Sequence, residues 1–282
     1  MKIGIRNEYL STNINSFGAE LIDLVKEERN YIWTIDEQFW NKKSPLLFPI
    51  VGQLKNNSYT LNDKQYSLTR HGFARDYEFD FIEKTSSSVL FSLSQNDDTL
   101  KQYPFQFELQ IKYELIQNKL IISYLVKNKS DLKMPFSLGA HPAIAVRDDI
   151  KNYSILFEND ENLIRYKLEN GLLSDKYEKV ETKNNTLLLN YSLFENDALI
   201  FKKLNSKSLI ILENNKPYLK IDFGNFPNLG IWTKNNAPFI CIEPWFGYSD
   251  SNNTTGDLYA KEGMQILESN NEFTTSFTIE IL

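Results

Sequence analysis

An all-β fold, a sandwich or barrel of antiparallel sheets, is the class this sequence predicts. Three observations carry the expectation. Short apolar, aromatic and β-branched runs bounded by Asn, Asp, Gly, Lys and Ser recur along the chain. The stretch Phe105-Gln106-Phe107-Glu108-Leu109-Gln110-Ile111-Lys112-Tyr113 alternates with period two, as a half-buried strand does. Helical periodicity is scarce, and no linker-like tract, charge block, low-complexity run or repeat divides the 282 residues. Large all-β domains commonly reach this length undivided, so one domain over residues 1–282 is the expectation.

Taken in order, the elements are as follows. Residues 36–40 read as a single helical turn. Residues 89–93, 105–113 and 120–126 read as strands, with Leu115-Ile116-Gln117-Asn118-Lys119 as the hairpin between the last two. A further single turn is expected at 193–196. Strands are expected at 154–157, 198–201, 209–212, 218–223, 229–233, 239–242 and 273–281, each a β-branched or aromatic run closed by turn residues.

Composition narrows the function. Hydrophobic residues make up 41% and charged residues 24%, ample for a sizeable core. A net charge of −6 with 31 dispersed Lys and Arg argues against a nucleic-acid surface, which needs clustered cations. The charged start Met1-Lys2-Ile3-Gly4-Ile5-Arg6 lacks a signal-peptide core, and no apolar run reaches bilayer-spanning length. A cytoplasmic protein without a membrane partner is expected. The single Cys241 cannot form an intrachain disulfide, and Phe239, Ile240 and Ile242 around it mark a buried strand thiol. No cation stands nearby in sequence to make it a thiolate nucleophile.

The chain has only two histidines, His71 in Arg70-His71-Gly72-Phe73-Ala74-Arg75 and His141 in Gly139-Ala140-His141-Pro142. A third unusual segment is Cys241-Ile242-Glu243-Pro244-Trp245-Phe246-Gly247-Tyr248. Proline biases the residue before it toward extended backbone, so His141 and Glu243 are restrained by the same device. Imidazole titrates near neutrality and burial tunes a carboxylate upward, which suits proton transfer in both directions on one substrate. Taken singly, each histidine reads more often as a hydrogen-bonded structural residue, and it is the three titratable residues together that favour a site. No phosphate-cradling loop, dinucleotide fingerprint, nucleophile elbow or clustered His/Cys metal set occurs in the sequence. Cofactor-free acid–base catalysis remains, with Phe73, Trp232, Phe226, Trp245 and Tyr248 as flat surfaces for the C–H face of a sugar.

These motifs, in order and spacing, resemble the aldose 1-epimerase (galactose mutarotase-like) superfamily, most of all its bacterial LacX-type branch. The resemblance runs nearly end to end. It includes Phe17-Gly18-Ala19-Glu20-Leu21, Pro45-Leu46-Leu47-Phe48-Pro49-Ile50-Val51-Gly52, residues 59–66, His71 to Arg75 and Gly139 to Pro142. It continues through Asn196-Asp197-Ala198-Leu199-Ile200, Phe226 to Trp232 and Ile242 to Trp245. The resemblance implies a large antiparallel β-sandwich, often called a supersandwich, that binds a sugar in an open cleft on one sheet without cofactor or metal. It implies Glu243 as the base for the anomeric hydroxyl and His141 as the acid for the ring oxygen. His71 follows as a second active-site histidine and Asp197 as a hydroxyl-binding carboxylate. Arg75 lies where related hexose-phosphate epimerases carry an arginine, for a hydroxyl or a phosphate. Phe73 and Trp245 are then expected at the sugar. The chain has His71-Gly72-Phe73 where galactose mutarotases have His-Gly-Gly, and Pro142-Ala143 where they place an aromatic, so its pocket differs from theirs. The implied reaction is anomer interconversion of a hexose or hexose phosphate. Sugar sensing without catalysis and glycoside hydrolysis by Glu243 with Asp197 are the alternatives, the latter requiring two carboxylates at a set separation.

Overall fold

A computed structural model describes residues 1–282. Two large antiparallel sheets dominate. The first has nine strands in the order Thr186–Leu188, Tyr153–Phe157, Ser208–Glu213, Lys216–Asp222, Glu272–Ile281, Lys119–Asn128, Phe107–Ile116, Ser88–Ser94 and Asp80–Lys84. The second runs Leu172–Lys179, Ile164–Glu169, Leu199–Phe201, Asn228–Trp232, Phe239–Phe246, Leu138–Ala140 and Leu46–Leu47, with Ala143–Ala145 also paired to Phe239–Phe246. A four-stranded sheet made by Lys2–Arg6, Ser11–Asn15, Glu20–Lys26 and Arg29–Asn30 opens the chain.

Alternation explains the first sheet. In Phe107–Ile116, Phe107, Leu109, Ile111, Tyr113 and Leu115 are buried and the intervening residues are half-buried, so one face packs on the core. The hairpin to Lys119–Asn128 pairs Ile116 with Lys119, leaving only Gln117 and Asn118 as its loop. Gln117 has φ +52, the left-handed value that tight hairpin turns require. A continuous cluster of 67 buried hydrophobic residues fills the interior. Phe48 lies within it, with its ring 5.2 Å from Phe107 and 6.2 Å from Tyr103. Truncating so enclosed a ring leaves a cavity and destabilises by about 3–5 kcal/mol.

The strand Phe239–Phe246 is buried at every position because both of its faces are covered. Ile240, Ile242 and Phe246 join the main core, while Phe239, Cys241 and Trp245 belong to two small clusters on the opposite face. Period two places Glu243 with the second set, away from the main core.

The structure departs from the expected elements at several points. Residues 36–40 form no helical turn; Asp36 and Trp40 are joined by an antiparallel bridge. The turn expected at 193–196 begins earlier, as the 3-10 helix Tyr191–Phe194. A short helix, Asp97–Gln102, was not expected, although Asn96 and Thr99 close a capping box with Asp97 and Asp98 in the first turn. The strand expected at 239–242 continues through Pro244 to Phe246, with Pro244 opposite Leu229. Proline withholds an N–H but has a backbone compatible with extended structure.

Candidate active site

Register brings the two central groups together. The pairing of Gly139 with Trp245 and of Ala143 with Cys241 sets His141 opposite Glu243, in the gap between Leu138–Ala140 and Ala143–Ala145. The Pro142 carbonyl accepts from the Ile242 N–H at 3.2 Å and keeps the strands joined across that gap. Opposed residues project to one face, and His141 Nε2 lies 3.2 Å from Glu243 Oε2. The contact is not aligned as a hydrogen bond, and neither Glu243 Oε2 nor His141 Nδ1 has a hydrogen-bond partner.

Burial governs both groups. Glu243 is 1% exposed, and desolvation pushes its carboxyl well above the ordinary carboxylate range. The Arg70 cation pulls the other way and loses; Asp197 adds to the rise. Burial likewise drives His141 down to about 3, with Arg70 and Arg75 contributing. Burial therefore disfavours the charged form of both members of the pair.

His71 is fixed by the backbone of a neighbouring loop. Its N–H donates to the Gly52 carbonyl at 2.8 Å, and its Nδ1 accepts from the Gly52 N–H at 3.1 Å. Gly52 has φ +76, and a Cβ there would fall 2.3 Å from Ser249 Oγ, so only glycine serves. With Nδ1 engaged as acceptor, the neutral ring carries its proton on Nε2 and keeps a donor free. Burial, then His141 and the two arginines, holds the His71 pKa well below the usual imidazole value. The two histidine rings meet edge to face with centroids 5.9 Å apart.

A cavity of about 470 Å³ opens over these groups, within the size range of small-molecule sites. Arg70, Arg75 and Asp197 also line it. Arg70 Nη2 is 3.4 Å from Asp197 Oδ2, and Arg75 Nη2 donates to the Arg70 carbonyl at 2.6 Å. Asp197 Oδ1 accepts from the Ala198 N–H at 2.8 Å, which sets the carboxylate at the start of Leu199–Phe201. Burial lowers the Arg75 pKa while Asp76 raises it, yet a guanidinium remains charged.

Tryptophans form the apolar wall. Trp40 and Trp232 hold their rings 4.9 and 5.8 Å from His141 and meet each other edge to face. Trp245 fits because two neighbours lack side chains: a Cβ on Gly230 would come within 2.5 Å of its Cη2, and one on Gly139 within 2.6 Å of its Cδ1. Its buried Nε1 has no acceptor.

The cavity thus gathers Glu243, His141, His71, Arg75, Asp197, Trp232 and Trp245 from the residues singled out in the sequence. Phe73 is a correction. It is 4% exposed and packs on Phe48, Tyr77, Tyr103 and Phe107 in the core. His71 and Gly72, at φ +69 and +72, turn the chain so that the side chains flanking the turn diverge. Phe226 and Tyr248 also lie elsewhere, the first against Phe246 and the second beneath the Lys202 ammonium at 4.1 Å. Sequence pattern hides Trp40, whose segment reads as a helical turn. Cys241 has the apolar neighbours of a plain core residue, yet its sulfur lies within 4.8 Å of donor atoms of both His141 and Glu243, a cluster that sequence spacing conceals.

Comparisons with known proteins bear on this arrangement. The aldose 1-epimerase family profile matches residues 1–262. The chromosomal protein LacX of Lactococcus lactis subsp. lactis is 35% identical over 268 residues, covering 89% of each chain. Among solved structures, a galactose mutarotase-like protein from Lactobacillus casei superposes with a TM-score of 0.95 at 31% identity, over 100% of both chains. A galactose mutarotase related enzyme from Lactobacillus acidophilus gives a TM-score of 0.93 at 30% identity, over 100% of this chain and 97% of its own.

Proposed function

The chain belongs to the aldose 1-epimerase family, and from that premise we propose that it interconverts the α and β anomers of a hexose or hexose phosphate by acid–base ring opening and reclosure. The observation that carries this reading is the Glu243–His141 pair, 3.2 Å apart on the wall of a cavity of small-molecule size. Opening a hemiacetal removes the anomeric hydroxyl proton as the ring oxygen gains one. In this reading Glu243 takes the first proton and His141 gives the second, while His71 Nε2 donates to the sugar. Carboxyl with imidazole and carboxylate with imidazolium contain the same single proton, so the pair reaches its working form by an internal shift without gaining or losing charge. After rotation about C1–C2, reclosure on the other face reverses the transfers, and the pair is regenerated within one turnover. Trp40, Trp232 and Trp245 would receive the C–H face of the sugar and Asp197 a hydroxyl.

The charge around the cavity favours a phosphorylated hexose. Two guanidinium groups, Arg70 and Arg75, line it with one carboxylate, Asp197, beside Arg70, and with Glu243, whose charged form burial disfavours. Magnetisation-exchange NMR between anomers, run on matched free and phosphorylated hexoses, tests this. Because hydrogen bonds to charged groups contribute about 1.5–3 kcal/mol, Arg75→Gln should lower kcat/KM for the phosphorylated sugar roughly 10- to 100-fold more than for its free counterpart. Equal losses would remove the phosphate from the reading, and no loss would remove Arg75 from recognition.

A further inference from the structure

Cys241 is the chain's single cysteine, and the proposed reaction does not use it. It stands two residues before Glu243 on the same face of Phe239–Phe246, opposite Trp232. Donor atoms of His141, Cys241 and Glu243 all lie within 4.8 Å of one another, and all three residues are buried. Glu243 Oε2 is buried, has no hydrogen-bond partner and faces this cluster. Its 3.2 Å separation from His141 Nε2 fits two ligands on one tetrahedral ion. Bonds of about 2.1 Å place such N and O atoms roughly 3.4 Å apart, and a thiolate at about 2.3 Å would stand roughly 3.6 Å from each. The Cys241 sulfur lies within 4.8 Å of both donors, and its closer approach completes that geometry.

We propose that His141, Cys241 and Glu243 form an inhibitory site for a thiophilic divalent ion such as zinc. Thiolate and imidazole ligands select such an ion over magnesium or calcium. The fourth position faces the cavity and takes water. As the ion binds, the thiol proton and the single proton of the pair leave to solvent, so two protons are exchanged for two positive charges and the buried site keeps its net charge. Both members of the acid–base pair are then held as ligands and proton transfer stops. The metal is an inhibitor of the reaction and has no part in it. The inhibition readout rests on the mutarotase reading, but ligation itself does not.

Titrating metal-free protein with Co²⁺ tests the ligation directly. Any thiolate-to-cobalt charge-transfer absorption must come from Cys241, the only thiol in the chain. The expected result is a band that saturates at one equivalent and is displaced by zinc, with stoichiometric zinc slowing anomer exchange at least tenfold and chelator restoring it. Cys241→Ala should keep metal-free exchange, lose the band and need at least tenfold more zinc for equal inhibition. No band in the unsubstituted protein, or identical zinc sensitivity in Cys241→Ala, would overturn the proposal. Should that variant fail to fold, the band in the unsubstituted protein decides alone. A band in a protein without exchange activity would leave the site standing and remove the mutarotase reading.

Discussion

Burial favours the neutral forms of Glu243 and His141 more than the unfolded chain does, and that difference ties stability to pH. For Glu243 the folded pKa is raised, so its contribution to stability is full below the unfolded value of 4.5 and is lost as pH rises toward the folded pKa. For His141 the folded pKa is depressed, so stability is full above the unfolded value of 6.5 and is lost as pH falls toward 3. Glu243→Gln removes the first titration. Its Tm should exceed that of the unsubstituted protein at pH 8, by a margin that shrinks as pH falls toward 4; melts that differ equally at both pH values would contradict the buried-carboxyl account. With His141 pushed down to about 3, its titration leaves the neutral range, so kcat/KM should show no limb near 6.5. A limb at 6.5 would make His141 an ordinary histidine. Both residues were legible in the sequence from their proline neighbours. The direction of the Glu243 shift was not, because burial and the opposing pull of Arg70 depend on distances that neighbours in sequence do not encode.

The strand Phe239–Phe246 and the strands paired on its two edges place the acid–base pair and Trp245 in the cavity. Gly230 pairs with Glu243 on one side, and the register places His141 on the other. The absent side chain at Gly230 lets the Trp245 ring lie across that position, so Gly230→Ala would force the ring aside from a 2.5 Å contact. Overpacking of this kind destabilises by about 1–3 kcal/mol. KM should rise as the aromatic wall moves, with a smaller change in kcat; a variant with unaltered KM and Tm would show that Trp245 does not depend on this glycine for its place. Sequence pattern found the cores of many strands, because period two and β-branched runs are local properties. The expected strand ends at 242 and so leaves out the last residues of Phe239–Phe246, Glu243 among them. Phe73 reads as a sugar contact because proximity to His71 in sequence says nothing about side-chain direction after a left-handed turn. The strands Ile164–Glu169 and Leu172–Lys179 were missed for a related reason: they are mostly half-buried or exposed and lack the apolar face that the pattern detects.

At the scale of the whole molecule, the sheets join distant parts of the chain, and the cavity depends on that closure. Glu272–Ile281 lies between Lys216–Asp222 and Lys119–Asn128, and the cavity draws from Trp40 at one extreme to Trp245 at the other. The antiparallel all-β class was legible from composition and alternation. The order of strands was not, since pairings across more than a hundred residues leave no local trace. For the same reason the meeting of His141, Cys241 and Glu243 could not be read from their spacing. No helix is long and apolar enough to cross a membrane. The central claim is that one buried acid–base pair performs the exchange, and magnetisation-exchange NMR on His141→Ala and Glu243→Gln tests it most directly. With sugar binding retained and each variant still melting cooperatively, the account expects the unsubstituted protein to accelerate anomer exchange and each variant to lose roughly 10²–10⁴-fold of that rate. An unreduced rate in either variant, or no exchange by the unsubstituted protein on any sugar it binds, would contradict it.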